Sequence, residues 1–380
     1  MKVLIVRTMP EFSMDIYANG LIAGLKIVRP DWKIMAIAPV PLSRSSRSWQ
    51  TRLHKYYERF WKFPRTVHQQ TTDIVHIIDH SDGHIAYTSK NQPTVITCHD
   101  LINYFYPQNL QGSVQIPWFS NALWRRSIHG MKQANHIITV SQQTAHDVTQ
   151  ILDIPPAKIT VVPNATSGFH PLFPLEREVL RQQHKLSPHT TCLLNVGSNH
   201  PRKNITTILK VIQHLKTKQI PIQFWKVGAD FTPEQQAWIQ AHDLQSSVTY
   251  LGKPDQPTLM QLYNAADMLL APSIHEGFGI TLLEAMACGT PIITANTSAM
   301  PEVVGNAGVL IDPLNVEAIA AAILQLRQDN TYRQTLIQKG LERVKAFTWE
   351  AVAEAIAQVY ESLLPQPAIA HPKVTQKVNP

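Results

Sequence analysis

Short aliphatic and β-branched runs alternate along this chain with stretches whose apolar residues recur at helical spacing. In the first half, residues 2–7, 33–38, 74–78, 94–98, 136–140 and 158–162 read as strands, because near-continuous apolar runs suit strands covered on both faces. The stretches between them carry helix-start signals: Ser141 precedes a helical pattern at 142–152, and Ser13 precedes one at 14–27. Such alternation predicts a parallel sheet with helices on both sides. After Val162, Pro163-Asn164-Ala165-Thr166-Ser167-Gly168 opens a proline-spaced polar stretch that runs to Ser187-Pro188 and reads as an inter-domain connection. Strand patterns then resume at 191–196, 222–227, 248–251, 268–271, 292–295 and 309–311, with helical ones at 205–216 and 257–266. Three more helical patterns, at 316–327, 331–345 and 349–364, follow without an intervening strand. Residues 365–380 hold four prolines and little to bury, as a disordered tail would.

The pattern therefore predicts an α/β protein with one doubly wound, Rossmann-like domain over residues 1–170 and a second over 186–347. In such folds ligands bind beyond the carboxyl ends of the strands. Functional residues are expected in the loops after strands, facing a cleft between the domains.

At 380 residues and 44% hydrophobic content, the chain can fill two cores of ordinary size. It has no apolar run near the roughly 18 residues of a membrane span. Met1-Lys2-Val3-Leu4-Ile5-Val6-Arg7 is interrupted too early for a signal-peptide core. A cytoplasmic protein is the expectation. Cys98, Cys192 and Cys288 lie in or beside apolar runs without metal-type or redox-type spacing, and are expected to be buried free thiols.

The segment Ser273-Ile274-His275-Glu276-Gly277-Phe278-Gly279-Ile280-Thr281-Leu282-Leu283-Glu284 follows the strand pattern at 268–271. Its two glycines allow close backbone approach to a ligand, and a helix is expected from near Gly279 to Gly289. That helix start would aim free N–H groups at a diphosphate or a hydroxyl-rich ligand. Glu284 is the only charge from Gly277 to Asn296, so something polar should answer it. It lies about 7.5 Å along the helix, within reach of a ribose at its start; a helix glutamate paired with a cation or facing solvent is the alternative. In Asn195-Val196-Gly197-Ser198-Asn199-His200-Pro201-Arg202-Lys203, Gly197 would admit a ligand, and Arg202 with Lys203 could neutralise a pyrophosphate. A solvated surface pair is the plainer reading of those two cations. His99, at the end of the strand pattern at 94–98, either meets a hydroxyl in the cleft or is a core histidine bonded to backbone.

Glu276 and Glu284, separated by seven residues and embedded in the run from His275 to Ile293, resemble the two-glutamate motif of the family 4 retaining glycosyltransferases, which have the GT-B fold. The resemblance runs from about residue 90 to 365. It implies an acceptor-binding first domain, a nucleotide-sugar-binding second domain, and a helix at 349–364 crossing back onto the first domain. It also implies a catalytic set of His99, Glu276, Arg202 and Lys203. Gly197, Arg202, Lys203, Glu276, Gly277, Phe278, Gly279 and Glu284 would hold the donor. A retaining transfer of a hexosyl group to a lipid-linked or polysaccharide acceptor follows, by same-side attack of the acceptor hydroxyl. A nucleotide-sugar epimerase of similar fold, or a non-catalytic membrane-associated nucleotide-sugar-binding protein, are the alternatives. Many relatives have paired glycines after the first strand, where this chain has Thr8-Met9-Pro10-Glu11.

The sequence has no Asp-x-Asp, and a zinc site on His76, His80 and His84 is not expected, because His76 falls in a strand pattern and Gly83 interrupts any helix. Neither a metal nor another cofactor is expected; the nucleotide sugar is substrate. The formal charge of +7 is local: Arg44, Arg47, Arg52, Lys55, Arg59, Lys62 and Arg65 face only Glu58, so the segment 44–65 carries +6. With Trp49, Tyr56, Tyr57, Phe60, Trp61 and Phe63 among its cations, it suits the inner, anionic face of a membrane, an ordinary surface helix or flexible loop being the alternative. No nucleic-acid motif accompanies it, and nucleic acid is not expected as a partner.

Overall fold

The computed structural model describes residues 1–8, 14–40, 49–89, 92–105 and 118–365. Ser13 with most of the loop after the first strand, Arg44 and Arg47, the side chains of Trp49 and Arg52, and the tail beyond 365 lie outside the described residues.

The described residues form two parallel sheets of six strands each. The first contains β1 (Lys2–Val6), β2 (Lys33–Ile37), β3 (Ile74–Ile77), β4 (Thr94–Cys98), β5 (His136–Thr139) and β6 (Ile159–Val161), in the order β2-β1-β3-β4-β5-β6. The second contains β7 (Thr191–Gly197), β8 (Ile222–Gly228), β9 (Val248–Tyr250), β10 (Met268–Ala271), β11 (Ile292–Ala295) and β12 (Val309–Ile311), in the order β12-β11-β10-β7-β8-β9. Each strand lies where the pattern puts one. Strands such as β4, buried at every position, leave no polar alternation to blur the signal. The chain leaves β7 toward β8 on one side, while β10 flanks β7 on the other, so the order reverses at β7. A crevice opens where the loops after β7 and β10 diverge. Those loops carry Arg202 and Glu276.

The connection holds a helix, Pro174–Gln183, that the pattern does not predict. Leu175 is 72% exposed on it, and the helix is fixed instead by two arginines, Arg177 donating to the Asn264 carbonyl at 2.8 Å and Arg181 to Asp267 at 3.0 Å. These contacts join it to the second domain. At the other end of the chain, the helix Trp349–Ser362 lies against the first-domain helix Met14–Val28. Val352, Ala353, Ile356 and Tyr360 share a buried cluster with Tyr17, Leu21 and Leu25. Arg29 reaches Glu354 at 2.8 Å and Glu361 at 2.7 Å along the rim.

The three spaced histidines have separate partners. His76, fully buried in β3, lies 2.5 Å from the Tyr360 hydroxyl and 2.7 Å from Thr97 Oγ1, while His84 contacts Ser127 Oγ and the Arg59 carbonyl. The basic segment is helical from Trp49 to His68, through a π-helical turn at Glu58–Lys62. Two of its cations are already neutralised, Arg59 by Asp82 at 2.7 Å and Lys62 by Glu58 at 2.7 Å. Cys98, Cys192 and Cys288 are free and buried.

Candidate active site

The loop after β10 brings the signature residues to the crevice, and the turn Pro201–Lys203 after β7 brings the two cations against them. Glu276 is the centre of the arrangement. Arg202 Nη1 donates to Glu276 Oε2, and Lys203 Nζ lies 2.6 Å from Oε1, so each carboxylate oxygen has its own cation. Ser298 closes the loop, its hydroxyl donating to the Glu276 carbonyl at 2.7 Å. Burial pushes the Glu276 carboxyl up, but Lys203 and Arg202 outweigh it and hold the group below the usual glutamate range. Glu276 is therefore a buried anion that orients two cations at the mouth of the crevice.

Beyond Glu276, the backbone N–H groups of Gly277, Phe278 and Gly279 donate to no acceptor among the described residues. The helix Ile280–Ala287 starts directly after them. Three open donors at a helix start, beside two cations, form an anion-binding concavity. Phe278 contributes only backbone, because its side chain is 5% exposed and packs edge-on against Phe347.

Glu284, one turn into that helix, accepts a 2.7 Å hydrogen bond from the Tyr263 hydroxyl. Tyr263 is the polar answer that the sequence left unnamed. Burial raises the Glu284 carboxyl, with the Tyr263 hydrogen bond opposing it.

From the first domain, His99 enters at the end of β4. Its Nε2–H donates to the Ile78 carbonyl at 2.9 Å, which fixes the ring and leaves Nδ1 as the acceptor. Burial lowers its pKa, with Asp79 opposing, so the ring is neutral at neutral pH. The domains meet at Gly277, where a Cβ would lie 1.9 Å from the His99 carbonyl oxygen and 2.8 Å from Asp100 Cβ. The Ser141 hydroxyl donates to the Gly277 carbonyl at 2.6 Å, and Thr144 Oγ1 does so at 3.1 Å. Glu302 of the second domain accepts from the Gln142 and Gln143 N–H groups at the start of the helix Gln142–Leu152. Ser141 caps that helix, as its sequence position implies, yet the same hydroxyl also grips the signature loop. A cap residue gives no hint of such a partner, 136 residues away.

Two buried polar residues behind the crevice escape sequence reasoning as well. Asn195 of β7 is 2% exposed and its Oδ1 has no partner, although its amide donates to the Leu270 carbonyl at 2.9 Å. Lys226 of β8 is fully buried opposite it.

Two family descriptions match the chain: Glycosyltransferase Family 4 over residues 27–167, and Glycosyl transferases group 1 over residues 176–343. The chain belongs to the family 4 glycosyltransferases. This glycosyltransferase chain is 32% identical over 243 residues to the O-antigen chain mannosyltransferase B of Escherichia coli, covering 63% of this chain and 64% of that one. It thus spans less than two thirds of that relative's length, and 37% of a second mannosyltransferase, WbdA, also from Escherichia coli. Among solved structures, the sucrose-phosphate synthase of Thermosynechococcus elongatus matches with a TM-score of 0.76 at 22% identity, over 96% of this chain and 99% of that one. HepE of Anabaena, solved in complex with UDP-glucose, matches with a TM-score of 0.75 at 18% identity, over 95% and 100% of the two chains. The fold of the family 4 chain is therefore GT-B: two parallel sheets facing one cleft.

Proposed function

We propose that this chain is a retaining glycosyltransferase that moves a hexosyl group from a nucleotide-diphosphate sugar to a lipid-linked or polysaccharide acceptor in cell-surface glycan synthesis. The observation that carries this reading is Glu276 held between Arg202 and Lys203, beside three backbone N–H groups with no acceptor. An incoming diphosphate would take over the two cations and the free amides, which stabilise the charge that develops as the nucleotide leaves. No metal is assigned a role, since these groups can meet that charge themselves. Glu276, freed of part of its pairing, would face the donor sugar together with His99. Glu284, which accepts from the Tyr263 hydroxyl, would accept from ribose hydroxyls as well.

The relatives named as mannosyltransferases and the neighbour solved with UDP-glucose make a nucleotide-linked mannose and UDP-glucose the first donors to test. Nucleoside diphosphate should be released only when an acceptor is supplied. Conversion of the donor to an isomeric nucleotide sugar without acceptor would favour an epimerase, and binding without turnover a carrier.

The acceptor side is proposed to work at the cytoplasmic face of an anionic membrane. Leu53, Tyr57 and Trp61, each more than half exposed, project from the basic helical segment, and no helix among the described residues is long and apolar enough to cross a membrane. Next to them, Arg65 and Arg126 line a cavity of about 350 Å³ with Trp61 and Tyr87. Each arginine lies over a ring, Arg65 at 5.2 Å from Trp61 and Arg126 at 4.9 Å from Tyr87, and neither has a carboxylate partner among the described residues. Arg59 and Lys62 are unsuitable for testing this surface because each already holds an internal carboxylate. Replacing Lys55, Arg65 and Arg126 together by Gln should release the protein from anionic vesicles in a flotation assay and leave nucleotide binding unchanged. Salt should weaken wild-type binding, since exposed charges are screened over about 8 to 10 Å. Equal flotation of wild type and triple variant would remove the membrane from the proposal.

A further inference from the structure

Lys226 presents a buried charge that the site as described does not use. It sits in the middle of the Trp225-Lys226-Val227-Gly228 end of β8 with no solvent exposure, and forms no ion pair among the described residues. Its Nζ donates to the Gly197 carbonyl at 2.8 Å and to the Val227 carbonyl at 2.9 Å. An isolated buried ammonium is expensive to keep. A structural role alone would be met more cheaply by an apolar side chain, since the Gly197 carbonyl already accepts from the Ala229 N–H at 3.1 Å.

The surroundings point toward the crevice. Gly197 is the residue where β7 turns into the Arg202–Lys203 loop, at a φ of +146°. The Lys203 side chain crosses its open face, 3.1 Å from where a Cβ would be. The Gly197 peptide therefore lies between two lysines, with Lys203 on the crevice side and Lys226 behind. Asn195, in register with Lys226 on the neighbouring strand, leaves its buried Oδ1 without a partner at a cavity lined by Lys203, Glu276, Gly279 and Thr281. The cluster Arg202, Lys203 and Glu276 sums to only one net positive charge, with the Glu284 carboxyl further along the same site. A diphosphate linked at both ends carries about two negative charges, and one more appears as the sugar leaves.

We infer that Lys226 is a positioning residue of the donor site, a third cation that holds the Gly197 turn from behind and balances the diphosphate through that peptide. This rests on the reading of the crevice as a nucleotide-sugar site. Burial first, and repulsion from Lys203 second, lower its pKa to about 8, with Asp230 in the loop after β8 opposing them. From β9 the facing residue is Tyr250, whose hydroxyl donates to the Gly228 carbonyl and contributes no charge. Because an unfolded lysine keeps its proton to higher pH, the ligand-free protein gains stability from this group as pH rises above about 8. An anion in the crevice reverses the preference and draws a proton from solvent onto Nζ.

The test is calorimetric titration of UDP and of GDP at pH 8.5 in two buffers of different ionisation enthalpy. At that pH the phosphates of the nucleotide are fully ionised and its base is still largely neutral, so net proton uptake reports on the protein. Wild type should take up about half a proton or more on binding. Lys226→Met should take up none, and should bind about tenfold more weakly at pH 7, with an affinity that no longer falls between pH 7.5 and 8.5. Should that variant not fold, the fall in wild-type affinity above pH 8 together with the uptake is the deciding result. Binding by wild type without uptake, or equal uptake in Lys226→Met, would overturn the role of Lys226 while leaving the donor site standing. Failure of both nucleotides to bind would overturn the donor reading and this inference with it.

Discussion

Replacing Arg202 or Lys203 by Ala is expected to cut transfer by about two to three orders of magnitude, the size of effect that follows when one preorganised contact to a developing anion is lost. Both side chains reach the crevice mouth and end on Glu276. The two variants should differ in folding cost. Arg202 also donates to the His275 carbonyl at 3.1 Å, whereas Lys203 lies across Gly197. Either change leaves Glu276 buried with one cation instead of two, which is expected to cost about 1 to 3 kcal/mol in thermal or urea unfolding. A third variant separates the two effects. Glu276→Gln with Arg202→Ala should recover stability relative to Arg202→Ala alone, because no buried carboxylate is left short of a partner, yet it should recover no activity. Near-normal turnover in both alanine variants, measured as nucleoside diphosphate released in the presence of acceptor, would show that the leaving group is stabilised elsewhere.

Adding a single methyl group at Gly277 is expected to have a comparable effect for a different reason. The Cβ of Gly277→Ala would meet the His99 carbonyl oxygen at 1.9 Å and Asp100 Cβ at 2.8 Å, and neither is a flexible side-chain end that could yield. The domains would have to separate where the signature loop touches the end of β4. The Ser141 and Thr144 hydrogen bonds to the Gly277 carbonyl would be stretched or broken. A displacement of about 1 Å between reacting groups can cost on the order of a hundredfold in rate, so turnover should drop at least that far. Nucleotide binding should be kept within severalfold, since the cations and free amides all belong to the second domain. Calorimetric titration of nucleotide alongside turnover distinguishes this from a general folding defect. A variant that turns over like wild type would mean that the contact at Gly277 is dispensable for catalysis.

The parts of this protein that were legible in its sequence are those written in local pattern. β4, β10 and β11 are short apolar runs bounded by turn residues, and their positions follow from that alone. The helix stop at Gly289 and the cap at Ser141 are equally local. Glu284 stood out as a lone charge in an apolar run, while Glu276, Arg202 and Lys203 took their site reading from the resemblance to the glycosyltransferase motif, and the structure brings those three into direct contact. What stayed hidden depends on contacts between distant segments. The helix Pro174–Gln183 offers little apolar face, with Leu175 and Val179 exposed, and is held by arginine bonds to the end of the helix Gln256–Ala265 that no periodicity reveals. The partner of Glu284, Tyr263, lies 21 residues before it in another helix and reads there as an ordinary apolar position. Lys226 did leave a signal, a lysine inside a run of Ile222-Gln223-Phe224-Trp225 that otherwise marks a buried parallel strand. A charge at such a position has to be answered by the tertiary structure, and here the answer is the Gly197 carbonyl.

The central claim is transfer of a sugar, with its anomeric configuration kept, by groups of the protein itself. Proton NMR of the reaction of a nucleotide-linked mannose or UDP-glucose with a lipid-linked glycan acceptor, in excess EDTA, tests it most directly. The account predicts a new glycosidic bond with the anomeric configuration of the donor, formed in step with free nucleoside diphosphate, and lost in Arg202→Ala and Lys203→Ala. A product of inverted configuration, or a reaction abolished by EDTA and restored by a divalent ion, would contradict it.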